Sequence, residues 1–463
     1  MSLVHDLFDR LDAVAALPPD VERVAARHLL DVVGVAFAAS GSPVGAPWRG
    51  HAARVGARGG PASLIGSPLG AAPADAALVN GGLMHSLEFD DTHTGSIVHG
   101  SAVLAAATIA AAEAAEAEGR PVTGHALLAA YALWYEVLIR VGLAAAGGFQ
   151  RRGFQITSLA GTLAAAAIGA GFAGLPREER VAAVGISLSQ ASGVFEFLSN
   201  GSNVKSMHPG WAAHAGLVAA ELAASGLRGP LTAIEGRFGL FRAFAGDEEA
   251  AGRFAATIGD LGEKWHLRDA AYKLLPCCHY LHPFVEVAGR IAETTPAAAI
   301  ASVECLAPEG VAPIVCDPWP LKQAAEGHAA RWSLPVSVAM RIVDGEVNLA
   351  SFERPLSDGV ADLARRTTWA PLENSGFPQR FAAKLRVTLH DGRVLEGRVD
   401  DVYGNASRPA SEAALDAKFQ SNMARACGPE AAARLSAAVL GLADGANVAP
   451  LTAALKEAGR GER

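Results

Sequence analysis

The order of helical and alternating patterns along the chain constrains its fold more than any other feature. Through the first 264 residues, apolar side chains recur at helical spacing and no clear strand pattern interrupts them. Pro19 to Ala39 reads as a helix with Pro at its start and Leu29, Leu30, Val33 and Val35 among its apolar positions. Further helices are predicted over Ser101–Glu116, Gly124–Ala144, Thr157–Phe172, Arg177–Gln190 and Gly210–Ala224, with a shorter one over Pro73–Ser86 interrupted at Gly81 and Gly82. Ser40 to Gly70, rich in Gly, Pro and Ser, reads mostly as loop. The pattern changes near residue 265. Ala299–Leu306 and Val311–Val315 are short β-type runs. In Lys384–His390, Leu385, Val387 and Leu389 point one way and their neighbours the other. Asp391-Gly392 then makes a turn into a returning strand, Val394–Val399. Helix resumes over Ser411–Cys427 and Pro429–Leu442, with fraying expected before Leu3 and beyond Ala453. The expected class is mainly α. A large all-helical domain comes from residues 1–264 and 404–463, with a smaller α/β domain, 265–403, inserted between them.

Composition narrows the function. At 463 residues and 51% hydrophobic, the chain can bury a large core. No run of eighteen apolar residues with charged flanks reads as a membrane span, and Leu163–Leu175 is too short and glycine-rich to be one. Met1 to Val24 lacks the basic region and apolar core of a signal peptide. The formal net charge of -8, with basic residues scattered, argues against nucleic acid as a partner. Five cysteines in a chain this long are no disulfide framework, so a reduced cytoplasmic protein is the expectation.

Four short polar loops each run into a predicted helix, whose free backbone N–H groups favour anions. They are Glu88 to His99; Arg151 to Gln155; Asn203 to His208; and Lys273 to His282. One pocket built from these junctions would suit a small polyanionic acid. Lys205 and Lys273 are the expected carboxylate ligands, with His208 beside the first and Arg152 as a possible bidentate clamp. His99 and His279 are candidates to carry a proton near neutral pH. Asp90 and Asp91 would orient the pocket, Thr92 would cap a turn or hold a carboxylate, and Cys278 would be a small buried thiol beside it. Asp90, Asp91, His93 and His99 are of metal-ligating types, but their spacing matches no metal motif, so no metal is expected.

These same residues carry a resemblance. Leu29-Leu30-Asp31, Glu88-Phe89-Asp90-Asp91-Thr92-His93 with His99-Gly100, Lys205 through Gly210, Lys273 through Pro283, and Lys418-Phe419 are together similar to the MmgE/PrpD family. That family includes 2-methylcitrate dehydratase, cis-aconitate decarboxylase and an iminodisuccinate epimerase. The resemblance implies a helical domain with a smaller α/β lid, a pocket between them, a homodimer, and no metal or organic cofactor. In its decarboxylase branch the important positions look like Glu88, Thr92, His99, Lys205 and Lys273 here. Gln155 stands where that branch has a histidine, and Cys278 falls near another. Gln155 is therefore expected to hydrogen-bond to substrate rather than titrate. The first expectation is a dehydratase of 2-methylcitrate type acting on a small di- or tricarboxylate. The alternatives are an iminodisuccinate-type epimerase, a cis-aconitate decarboxylase, or an inactive carboxylate-binding relative.

Overall fold

In the computed structural model, which describes residues 2–377 and 379–461, helix dominates and strand is confined to two small sheets. The helices Pro73–His85, Gly100–Ala117, Ile156–Phe172 and Met207–Ala224 pack against one another at the centre. Gly124–Ala145 and Pro19–Ser40 pack around them. The late helices Glu412–Met423 and Pro429–Leu440 return to lie on Pro19–Ser40. One continuous apolar core accordingly draws on Val4 to Ala270 and again on Phe419 to Ala458, with Leu349 joining it from the middle of the chain. A second core runs from Cys277 to Val399.

The first 264 residues are not wholly helical. β1 (Ala62–Ser63) and β2 (Gly70–Ala71) form a minimal antiparallel pair. The larger sheet holds β3 (Ile300–Ala307), β4 (Thr367–Pro371), β5 (Ala383–Leu389) and β6 (Val394–Val399) in the order β4-β3-β5-β6. β3 runs parallel to β4 and antiparallel to β5, and β5 pairs antiparallel with β6. Leu385, Val387 and Leu389 are buried while Lys384, Arg386 and Thr388 are partly exposed, as the alternation predicts. The helix His282–Ala292 packs on β5 and β6, covering one face of the sheet.

Several elements differ from the sequence reading. Val311–Val315 forms no strand. It is a 3-10 turn followed by the short helix Ala312–Val315, whose Pro313 sits in the first turn, where its missing N–H costs nothing. Ser40–Gly70 holds a helix, Ala46–Gly56, again with Pro in its first turn. The helix expected from Gly210 begins at Met207, so His208 and Pro209 lie inside its first turn. The chain beyond Ala453 does not fray at once: the helix Ala449–Ala458 buries Leu451 and Leu455.

Two helices, Gly100–Ala117 and Gly124–Ala145, do reach the length and apolarity of a membrane span. Alanine supplies much of that apolarity, and the windows are 83% and 72% buried within the protein. Their apolar faces therefore already have partners.

Pro73–His85 is one unbroken helix, because its glycines serve contact rather than a break. A Cβ on Gly81 would lie 2.7 Å from the Gly210 Cα, and one on Gly82 would lie 2.4 Å from the Trp48 ring. The first contact is backbone against backbone, with no flexible side chain to yield. Gly81→Ala is expected to lower stability by about 1–3 kcal/mol, read from the urea midpoint. Gly50→Ala, in a helix with open space around it, is expected to be neutral or to stabilise by up to about 1 kcal/mol. Equal effects from the two would contradict the close approach.

Candidate active site

The polar segment 86–99 leaves the end of the Pro73–His85 helix and enters Gly100–Ala117 through His99. It is pinned from three directions. Lys418, on the Glu412–Met423 helix, bonds Asp31 at 2.7 Å and donates to the Phe89 carbonyl at 2.8 Å. Buried Arg331 donates to the carbonyls of Leu87 (2.8 Å) and Pro276 (2.5 Å), tying this segment to the Lys273–His282 segment. The His99 N–H donates to Thr157 Oγ1 at 2.9 Å, at the start of Ile156–Phe172. The separate Leu29-Leu30-Asp31 and Lys418-Phe419 motifs thus meet beneath one loop.

Glu88, Thr92, His99, Gln155, Lys205, Lys273, Cys278 and His279 all line one cavity, of about 700 Å³ with its mouth included. All four junctions therefore contribute to it. The carboxylate of Glu88 is buried. Lys205 Nζ lies 2.6 Å from both its oxygens, and Lys273 Nζ lies 3.7 Å from Oε2. Burial pushes the Glu88 carboxyl up, but the charges of Lys205 and Lys273 prevail and hold it well below the usual carboxylate range. Burial lowers the Lys273 ammonium, and the charges of Glu88 and Asp90 overcome it and leave it raised. Lys273 Nζ is buried with no hydrogen-bond partner among the described residues. The same holds for both ring nitrogens of His279. Glu88 and Ile97, both in the cavity wall, adopt left-handed backbone conformations at φ 52° and 59°. Such strain in non-glycine residues tends to gather at functional sites.

His99 has a defined tautomer. Its Nδ1 lies 3.0 Å from the Asp91 carbonyl oxygen, which can only accept, so Nδ1 carries the hydrogen. Thr92 Oγ1 is 2.9 Å from the same nitrogen. Nε2 of the neutral ring is then left with its lone pair. Burial, and then the charge of Lys273, lower His99 to about 3. Burial likewise holds His279 well below its ordinary value, with His282 and Lys273 adding to the effect.

A residue missed in the sequence completes the site. His85 Nδ1 donates to Asp90 Oδ2 at 2.8 Å, and its ring centre lies 5.1 Å from that of His99. Gln155 Nε2 faces His85 Nε2 at 3.3 Å, and Gln155 Oε1 accepts from His208 Nδ1. Asp90, His85, Gln155 and His208 thereby form one polar chain. The signal for His85 was its place three residues before Glu88 at a helix end. Also missed was the apolar wall, formed by Phe195, Phe197, Ile314, Trp332 and Phe381.

Four expected site residues stand elsewhere. Asp90 lies behind the cavity, bound to His85. Asp91 accepts from the Ser101 N–H at 3.3 Å and from the Ser101 hydroxyl, lies 2.7 Å from His28 Nδ1, and so anchors the start of Gly100–Ala117. His208 faces Gln155 instead of the cavity. Arg152 is exposed and lines no part of it, because Gly153 turns the chain at a positive φ before Gln155. Gln155 itself lines the cavity, but both ends of its amide are taken by the two histidines, so substrate is not its first partner. The metal-type residues of the 90–99 segment diverge. Asp90 goes to His85, Asp91 to Ser101, and His93 to Ser96 at 2.8 Å. His93, His266 and Asp269 do bring ligand-type atoms within 4.8 Å of one another, outside the cavity lining. All five cysteines are buried and unpaired.

The arrangement has a consequence for pH. Histidines buried neutral bind their proton later than the unfolded chain does, so their stabilisation is complete above about pH 6.5 and is lost as pH falls toward their folded values. Those values are about 3 for His99 and His282 and about 4 for His208. The depressed Glu88 acts in the same direction, its contribution present above the ordinary value of 4.5 and lost below. The urea midpoint is therefore expected to decline from about pH 6.5, before the carboxylate range is reached, and His279→Phe should flatten the decline. A midpoint constant between pH 6.5 and 4.5 would contradict neutral burial.

Comparison with known proteins agrees with these motifs. Residues 12–252 match the MmgE/PrpD N-terminal domain and residues 275–444 the MmgE/PrpD C-terminal domain. The chain is 27% identical over 457 residues to a cis-aconitate decarboxylase-like protein of Aspergillus oryzae, covering 94% of this chain and 93% of that one. It is 26% identical to a cis-aconitate decarboxylase of Homo sapiens (83% and 79% covered) and 25% identical to one of Aspergillus terreus (74% of each). The chain belongs to the MmgE/PrpD family.

Proposed function

We propose that this MmgE/PrpD-family chain is a cofactor-independent lyase that removes a carboxylate, as carbon dioxide, from a small di- or tricarboxylate and replaces it with a proton. The observation that carries this reading is the cavity itself. Two lysines, of which Lys273 lacks a hydrogen-bond partner, an imidazole with a free Nε2, and the unpartnered ring of His279 face one apolar-walled space. Lys205 and Lys273 hold a retained carboxylate. The bond to the departing carboxylate breaks, its electron pair stays on the substrate, and it takes up a proton from His99, whose Nε2 has first been protonated from solvent as substrate binds, or from His279. Substrate anions offset the lysine charges that depress His99, bringing the ring closer to a useful proton donor. Residues 265–403 supply Lys273, His279, Ile314, Trp332 and Phe381 and act as a lid over the helical part. The relatives' names favour decarboxylation over the dehydration suggested by motifs alone, and a homodimer is proposed from the family.

The test is proton NMR in heavy water with cis-aconitate and a panel of di- and tricarboxylates. Deuterium is expected at the carbon vacated by carbon dioxide. Release of water without carbon dioxide would establish dehydration instead, and binding without any reaction would establish an inactive relative.

His99→Ala is expected to slow turnover by about 10²–10⁴-fold. Lys205→Ala and Lys273→Ala are each expected to cost roughly 2–5 kcal/mol in substrate binding or turnover. Unchanged kinetics in all three variants would remove these residues from the reaction. Because the His93, His266 and Asp269 group lies outside the cavity lining, exhaustive chelation should leave the rate unaltered. Loss on chelation with recovery on adding a metal would contradict the cofactor-independent mechanism.

A further inference from the structure

A second group of ligating side chains stands outside the cavity, on two segments that lead into it. His266 and Asp269 begin and end the 3-10 turn His266–Asp269. At three residues per turn, positions i and i+3 lie one above the other, so the imidazole and the carboxylate leave one face together. The turn is held from beneath. Leu267 is buried, and its N–H donates to Glu136 Oε1 at 2.7 Å. His93 approaches from the other segment. Thr92 and Ala271 exchange backbone hydrogen bonds of 3.0 and 2.8 Å, and His93 and Val98 exchange bonds of 2.9 and 3.3 Å. The His93 ring thereby comes to 6.2 Å from the His266 ring, edge to face. Ligand-type atoms of His93, His266 and Asp269 then all lie within 4.8 Å of one another.

The donor set is two imidazoles and one carboxylate. It suits zinc and its first-row neighbours, with coordination positions left for water, and lacks the oxygen shell that magnesium or calcium needs. The His93 ring is oriented from behind. Ser96 holds its Nδ1, by the hydroxyl at 2.8 Å and the N–H at 3.2 Å, so Nε2 is the nitrogen left to coordinate. A metal at Nε2 puts the ring's hydrogen on Nδ1, where the Ser96 hydroxyl accepts it and the longer N–H contact gives way. A tetrahedral ion with ligands at about 2 Å needs them about 3.3 Å apart. Asp269, exposed at the end of its turn, has room to close that distance. His93 is buried and His266 half-buried, so the group opens to solvent on the Asp269 side. The charges that reach His266 are Arg140 and Lys264 against Asp269 and Asp260, with Arg140 itself bound to Asp260. A divalent cation meets no net repulsion there.

We propose that His93, His266 and Asp269 form a site for a borderline divalent metal ion, zinc foremost, which braces residues 92–98 against residues 266–271. The brace acts on the cavity from outside. Thr92 and Ile97 stand in the cavity wall, and Lys273 follows the second braced segment. None of the three ligands lines the cavity, so the ion takes no part in the reaction and the site does not depend on the lyase reading.

The test is isothermal titration calorimetry of zinc chloride into the full chain, stripped with a chelator, with magnesium chloride as the comparison. One equivalent of zinc is expected to bind with a Kd of about 1 μM or tighter, and magnesium to give no binding heat. Zinc should also raise the Tm. His266→Ala and Asp269→Ala, each expected to fold because neither side chain is in the core, should each weaken zinc at least about tenfold. His390→Ala, at an exposed histidine elsewhere, should leave it unchanged. X-ray absorption on the zinc-loaded wild type, which needs no variant to fold, should show two imidazoles in the first shell. Zinc weaker than about 100 μM would overturn the site, as would a first shell without imidazole or equal binding by wild type and both ligand variants. The cavity's reaction is read separately, since turnover is expected to be the same with and without the ion.

Discussion

A buried carboxylate held between two ammonium groups is the interaction around which this protein is organised. Glu88 cannot be removed from water without compensation, and Lys205 and Lys273 provide it from two different parts of the chain. The requirement reaches far into the fold. Lys205 arrives on a 3-10 turn ahead of the Met207–Ala224 helix, whose packing needs glycine at 81 and 210. Lys273 arrives on the segment that Arg331 ties to the Glu88 loop. Lys418 and Asp31 hold the other side of that loop from the chain's two ends. The left-handed backbone at Glu88 is a local cost that these anchors together offset.

The same cluster governs the histidines. Burial, and then neighbouring positive charge, keep His99 and His279 neutral in the free protein, and the Asp91 carbonyl directs the His99 proton to Nδ1. The cavity is thus poised so that an arriving anion changes the proton affinity of the group nearest to it. Gln155 contributes by what it cannot do. It links His85 to His208 through its amide and has no group of its own that titrates.

Much of this was legible in the residues, because helical periodicity and junction motifs are local signals. The main helices, the β5–β6 hairpin and eight of the cavity-lining side chains followed from them. Non-local features were not legible. Trp332 lines the cavity because the second core packs it there, and Phe381 because it packs on His279, Tyr280 and Phe377. Asp91 looked like a pocket acid next to Asp90, yet one residue of register turns it toward Ser101 and the helix start. Arg152 failed for a similar reason, the turn at Gly153 leaving it in solvent. His85 sat inside a helix of buried residues, where a single histidine resembles packing until its partners Asp90 and Gln155 are in place. Gly81 and Gly82 read as a break because sequence does not reveal the neighbouring helix that needs them.

The most direct test is a crystal structure of the protein with a small dicarboxylate bound. One carboxylate is expected between the Nζ atoms of Lys205 and Lys273, beside or displacing Glu88, with the rest of the ligand against Phe197, Trp332 and Phe381. A ligand seated outside this cavity, with Lys205 and Lys273 both still turned to Glu88 alone, would contradict the assignment of the site.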